Sequence, residues 1–127
     1  MNEKDIDKFE KLDMQLYGFY EEVNKLSQKK PDEPINKFKL KLINQLLKDA
    51  NVLLGKKYAP LDDFNQFDEN LIPSNSDVSL IIAQYLECMD KLRLDNIKQT
   101  YGEQWYWIFD GNDSKRRAIP PRKKMKG

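Results

Sequence analysis

The 127-residue chain contains no histidine and one cysteine. Without imidazole there is no Ser-His-Asp triad, no Cys-His dyad and no histidine acid or base. An HExxH zinc site, a histidine ligand for copper, haem or non-haem iron, and the helical ribonucleases built on Arg-x-x-x-x-His are excluded as well. Cys88 alone builds no zinc cage, no CxxC redox pair and no internal disulfide. Beside Tyr85, Leu86 and Met89 it reads as a packed or partly exposed thiol.

The five glycines never approach GxGxxG spacing. Gly55-Lys56-Lys57 lacks the upstream glycine and the hydroxyl residue of a phosphate loop. Asp32, Glu33 and Lys37 lack the strand and tandem E-x-K that a metal-dependent nuclease needs. The longest apolar run, Trp105 to Phe109, is five residues, far too short for a bilayer. Met1-Asn2-Glu3-Lys4-Asp5 holds no apolar segment of the secretory type. With so little cysteine, a reducing, cytoplasmic setting is expected. Richness in Lys, Asn and Ile points to an AT-rich genome, bacterial or phage.

What the chain has is charge in blocks. The overall balance is +1, but residues 35–57 carry six lysines and one acid, and residues 58–90 carry seven acids and no Lys or Arg. Residues 115–127 carry seven basic residues and no acid. Such segregation predicts electrostatic docking, within the molecule or onto a partner.

Apolar residues recur at helical spacing in three segments. Over residues 5–29 the stripe is Ile6, Phe9, Leu12, Leu16, Phe19, Val23 and Leu26, widened by Met14, Tyr17 and Tyr20. Asn2 or Asp5 caps its start and Pro31 ends it. Over residues 34–54, Phe38, Leu42, Leu46, Ala50 and Leu53 form one face, flanked by Ile35, Ile43, Leu47 and Leu54. This second helix is expected at the centre of the core, with Asp32 or Glu33 as its cap and Gly55 ending it. Lys37, Lys41 and Lys48 share its opposite face. A third helix starts at Ser74 or Ser76 and runs to about residue 100 on Val78, Ile81, Ile82, Tyr85, Leu86, Met89, Leu92 and Ile97.

Residues 55–75 form a long acidic connector that Phe64, Phe67, Leu71 and Ile72 tie down. Read as a calcium loop from Asp63, it has Phe67 at position five, Asp68 where glycine belongs and Ser74 in place of the closing glutamate. No metal or other cofactor is therefore expected. Residues 103–119 are either a β-hairpin around Asp110-Gly111 or a continuation of the third helix.

The fold expected is mainly α: three helices, up-down-up, around one core, with the acidic connector, a short C-terminal hairpin and a disordered basic tail. The domain spans residues 1–114, the hairpin extending to 119, and the tail 115–127. The expected function is a non-enzymatic protein-interaction module, an accessory, adaptor or inhibitory subunit. Its partner is another protein or a second copy of itself, with no membrane and no small-molecule substrate. Trp105, Trp107 and Phe109 are the candidate anchors, beside Tyr101 and Tyr106. Asp62, Asp63, Asp68 and Glu69 are the electrostatic complement. The alternative is sequence-tolerant nucleic-acid binding through Lys37, Lys41, Lys48, Arg116, Arg117, Arg122, Lys123 and Lys124, with cation–π contacts from Arg116 and Arg117.

Overall fold

The structure is a computed structural model and describes residues 1–100 and 102–122. It comprises three helices, α1 (Glu3–Lys29), α2 (Lys37–Tyr58) and α3 (Asn75–Leu94), followed by strands β1 (Ile97–Gln99), β2 (Trp105–Phe109) and β3 (Asn112–Arg117). The mainly-α expectation is met, with a three-stranded antiparallel sheet of order β1-β2-β3 added to it. Each helix packs on the other two, most extensively α1 on α3.

The caps explain where the helices begin. Asn2 and Asp5 form a reciprocal capping box, satisfying two amide donors at the start of α1. The cap of α2 is Asn36, whose side chain accepts from the Lys39 amide. Asp32 and Glu33 do not cap it, because their segment is held elsewhere. Ile35 donates to the Pro73 carbonyl at 3.0 Å, Asn75 donates to that of Glu33 at 2.9 Å, and the Asn75 side chain donates to that of Lys30. The α1–α2 turn is thereby clamped to the start of α3, which Ser74 caps.

Gly55 interrupts α2 where a helix end is expected, but the chain turns helical again after it. At φ 63° and ψ −174° it breaks the helix and lets one further turn follow, closed by Ala59 donating to the Gly55 carbonyl. That backbone region is essentially reserved for glycine.

The third helix is shorter than its apolar spacing predicts. It stops at Leu94 because the Asn96 side chain donates to the Leu92 carbonyl at 2.8 Å and caps the last turn. Ile97 then pairs with Trp107 in the sheet. Residues 105–117 pair as two antiparallel strands around Asp110-Gly111 rather than continuing the helix, and β1 adds a third strand that the spacing does not predict.

One core holds the pieces together. From α1 come Ile6, Phe9, Leu12, Leu16 and Val23; from α2, Leu40, Ile43, Leu47, Ala50 and Leu54; from α3, Val78, Ile82, Tyr85, Leu86 and Met89; from the sheet, Ile97 and Trp107. The face of α2 expected to lead the core does so only in part: Ala50 is fully buried, but the larger side chains of that face are not. Phe38 is 69% exposed and Leu42 42%, while Leu46 and Leu53 are half-buried. The flanking residues Ile43, Leu47 and Leu54 are buried alongside Ala50. The α2 sequence carries two apolar stripes, and spacing alone does not say which faces inward.

Among the described residues, no helix is long and apolar enough to cross a membrane.

Candidate interaction surfaces

Trp107 is a core residue. It is 1% exposed, and its ring meets Phe9 edge-on at a centroid distance of 5.4 Å. It cannot anchor a partner unless the sheet leaves the helices, so that expectation is corrected. The strand alternation is the reason: positions 105, 107 and 109 point toward the helices. Trp105 and Phe109 are half-buried and pack against the core edge. Tyr101 lies outside the described residues.

The basic C-terminal segment is corrected too. Lys115, Arg116 and Arg117 belong to β3, and the chain continues back over α1. Arg116 forms ion pairs with Asp7, at 2.8 Å, and with Glu10 of α1. Arg122 grips Asp13 through both terminal nitrogens, at 2.8 and 2.5 Å, while its backbone amide donates to Asp90 at 3.2 Å. The cation–π contact made from this segment is Arg122 over Tyr17, at 4.9 Å. Arg116 and Arg122 are thus committed within the molecule. Lys123 and Lys124 lie outside the described residues.

Beneath Arg122 lies an ion cluster that the periodicity does not reveal. Asp13 and Arg93 are 3% and 1% exposed, joined at 2.5 Å. Arg93 also meets Asp90 at 2.6 Å and lies over the Phe9 ring. Two carboxylates and two guanidiniums neutralise one another, which is the condition for burying charge. Burial pushes the Asp90 carboxyl above its ordinary value, against the pull of Arg93 and Arg122. For Arg122 burial works against the charged form, but the bond and charge of Asp13 outweigh it and raise its pKa. One signal in the sequence was available: Asp13 falls between Phe9 and Leu16 on the buried arc of α1.

The acidic connector is exposed at Asp62, Asp63, Asp68 and Glu69. It is held by its neutral residues. Asn44, buried in α2, donates to the Phe67 carbonyl and accepts from the Phe67 amide, both at 2.9 Å. Asn51 donates to the Asn65 carbonyl and accepts from the Tyr85 hydroxyl. Phe64 rests against Phe67 and Tyr85. Among the described residues, no group of three carboxylate or cysteine side chains converges as a metal site would. Burial raises the pKa of the Cys88 thiol, which keeps it in its unreactive form.

Lys37, Lys41 and Lys48 are exposed on one face of α2. Beside them, the outward apolar stripe of α2 meets α1. Leu42, Leu46, Val52 and Leu53 form one wall of an open groove of about 880 Å³, and Leu12 and Phe19 line the other. Lys8 and Lys11 stand on the α1 side, Asp49 on the α2 side and Asp5 at one end. Val52 is 82% exposed, the most exposed large apolar side chain described.

These features define a small helical protein whose open surfaces are an apolar groove, a lysine face and an acidic connector. No family model, no curated protein and no solved structure matches the chain.

Proposed function

We propose that the chain is a non-enzymatic protein-interaction module, an accessory, adaptor or inhibitory subunit, whose α1/α2 groove takes an amphipathic helix from an acidic partner. The second apolar stripe of α2 carries this reading. A helix that has already filled its core from Leu40, Ile43, Leu47 and Leu54 gains nothing in the monomer from Phe38, Leu42 and Val52. Contiguous exposed apolar surface rimmed by polar residues marks an interaction site. Helices dock in such grooves through apolar residues at helical spacing.

The charge around the groove selects the occupant. Within the groove Lys8 and Lys11 are balanced by Asp5 and Asp49, so the surplus of positive charge comes from Lys37, Lys41 and Lys48, exposed on α2 outside it. A helix with leucines on one side and glutamates on the other satisfies both. The acidic connector packs on the α3-facing side of α2, away from the groove, and offers a second surface of opposite sign.

The test uses a labelled amphipathic peptide with leucines at i, i+3 and i+4 and glutamates elsewhere, and its twin with lysines. The expected result is binding of the glutamate form alone, with amide shifts along Leu42 to Leu53. Leu42→Glu with Val52→Glu should abolish it while the thermal midpoint holds. Equal binding of both peptides, or indifference to the double substitution, would overturn the reading. Light scattering showing a dimer broken by the same substitutions would instead assign the groove to a second copy.

A further inference from the structure

We infer that the outer face of the sheet is a stacking platform for single-stranded nucleic acid, a function independent of the α1/α2 groove. Trp107 is buried and Trp105 and Phe109 pack against the core, so the strand alternation turns Tyr106 and Ile108, both half-buried, to the opposite face. The register places Lys98 of β1 directly opposite Tyr106, and Arg117 of β3 opposite it on the other side. Cross-strand partners share a face. One row across three strands therefore reads cation, aromatic ring, cation.

Lys98 and Tyr106 line a shallow concavity of about 1020 Å³ together with Thr100, Ile108 and Lys115, and Arg117 stands beyond its edge. Two carboxylates, Glu103 and Asp113, lie there as well. Asp113 meets Lys98 at 3.3 Å, but both groups are largely exposed, and such a pair holds weakly. The Tyr106 hydroxyl donates to Gln104 at 2.8 Å, which steadies the ring.

A ring flanked by cations is the arrangement that binds unpaired bases. The base stacks on the aromatic face while phosphates on either side meet Lys and Arg. A duplex keeps its bases inside and leaves the ring nothing to stack on. An acidic peptide uses the cations alone. Arg117 is exposed in β3, unlike Arg116 and Arg122, which α1 has taken.

The experiment is fluorescence anisotropy on the full chain with a labelled oligothymidine, the corresponding duplex and an oligoglutamate peptide, across salt. The expected order is single strand tightest. Tyr106→Ala should weaken it about tenfold, as loss of one stacked base does. Tyr106→Phe, which keeps the ring, should bind nearly as the natural chain does. Lys98→Gln with Arg117→Gln should reduce the salt slope by about 1.4, two contacts at ~0.7 each. A full-length variant with glutamines at Lys123, Lys124 and Lys126 separates the last lysines from the sheet. Four results would overturn the inference: no binding at low salt, duplex bound as tightly as single strand, indifference to Tyr106→Ala in a folded protein, or complete loss in the Lys123/Lys124/Lys126 variant. Oligoglutamate binding as tightly as oligothymidine would assign the face to acidic peptides instead.

Discussion

Asp13→Ala removes the carboxylate on which two guanidiniums converge, and its cost can be worked from the geometry. Asp13 is 3% exposed and accepts from Arg93 at 2.5 Å and from Arg122 at 2.8 and 2.5 Å. Breaking a buried pair from one side costs about 3–5 kcal/mol, because the remaining charge stays out of water. Arg93 keeps Asp90, at 2.6 Å, and Arg122, 20% exposed at its side chain, can turn toward solvent. Both place the loss near the lower end, about 3 kcal/mol. Domains of this size are stable by roughly 5–15 kcal/mol, so the variant remains folded but weakened. Urea unfolding followed by circular dichroism should show a lower midpoint with an unchanged slope, and the thermal midpoint should fall by roughly 10 °C. Asp13→Leu combined with Arg93→Met should be more stable than Asp13→Leu alone, since the stranded guanidinium goes with its partner. A loss below about 1 kcal/mol for Asp13→Ala would refute the reasoning, because it would mean that water reaches Arg93.

Gly55→Ala places a side chain at φ 63°, ψ −174°, and should cost about 1–3 kcal/mol although no atom crowds the new methyl; thermal unfolding reads it. Asn44→Ala strips both hydrogen bonds from Phe67 and should raise amide exchange across residues 64–70 more than in α1, as mass-resolved hydrogen exchange will show. Asp90 has a folded-state pKa above the ordinary 3.8, so the fold favours its neutral form. Its contribution to stability is greatest in acid and is lost as pH rises from the ordinary value through the raised one. The stability of Asp90→Asn relative to the natural chain should therefore increase over that window, measured by urea unfolding at stepped pH.

Helical periodicity is a strong local signal where one stripe exists, and α1 was legible from Ile6 to Val23 with its cap at Asn2. It failed in part for α2, where Leu40, Ile43, Leu47 and Leu54 compete with Phe38, Leu42 and Leu46, and only Ala50 of the expected face is fully buried. Only packing against α1 and α3 decides between them. The end of α3 was misread because Ile97 suits a helical stripe and a strand equally well, and Asn96 closes the helix with a side-chain bond that spacing does not encode. Trp107 shows the same limit. The alternation of residues 105–109 was readable, but which face meets the helices was not. Arg116 and Arg122 looked like solvated cations because their acceptors stand about a hundred residues earlier. Asp13 and Asp90 are ordinary carboxylates until the fold brings Arg93 between them.

The bond between Asp13 and Arg122 joins residues 109 positions apart. A ribosome adding roughly 5–20 residues per second makes Arg122 about 5–20 s after Asp13. Until then α1 can pack on α2 but is not complete, since Phe9 waits for Trp107 as Asp13 waits for Arg93 and Arg122. The earliest-made helix is the last to be completed. A nascent chain stalled before residue 93 should therefore be the form most readily held by chaperones, and emergence of residues 93–122 should be the step that frees it.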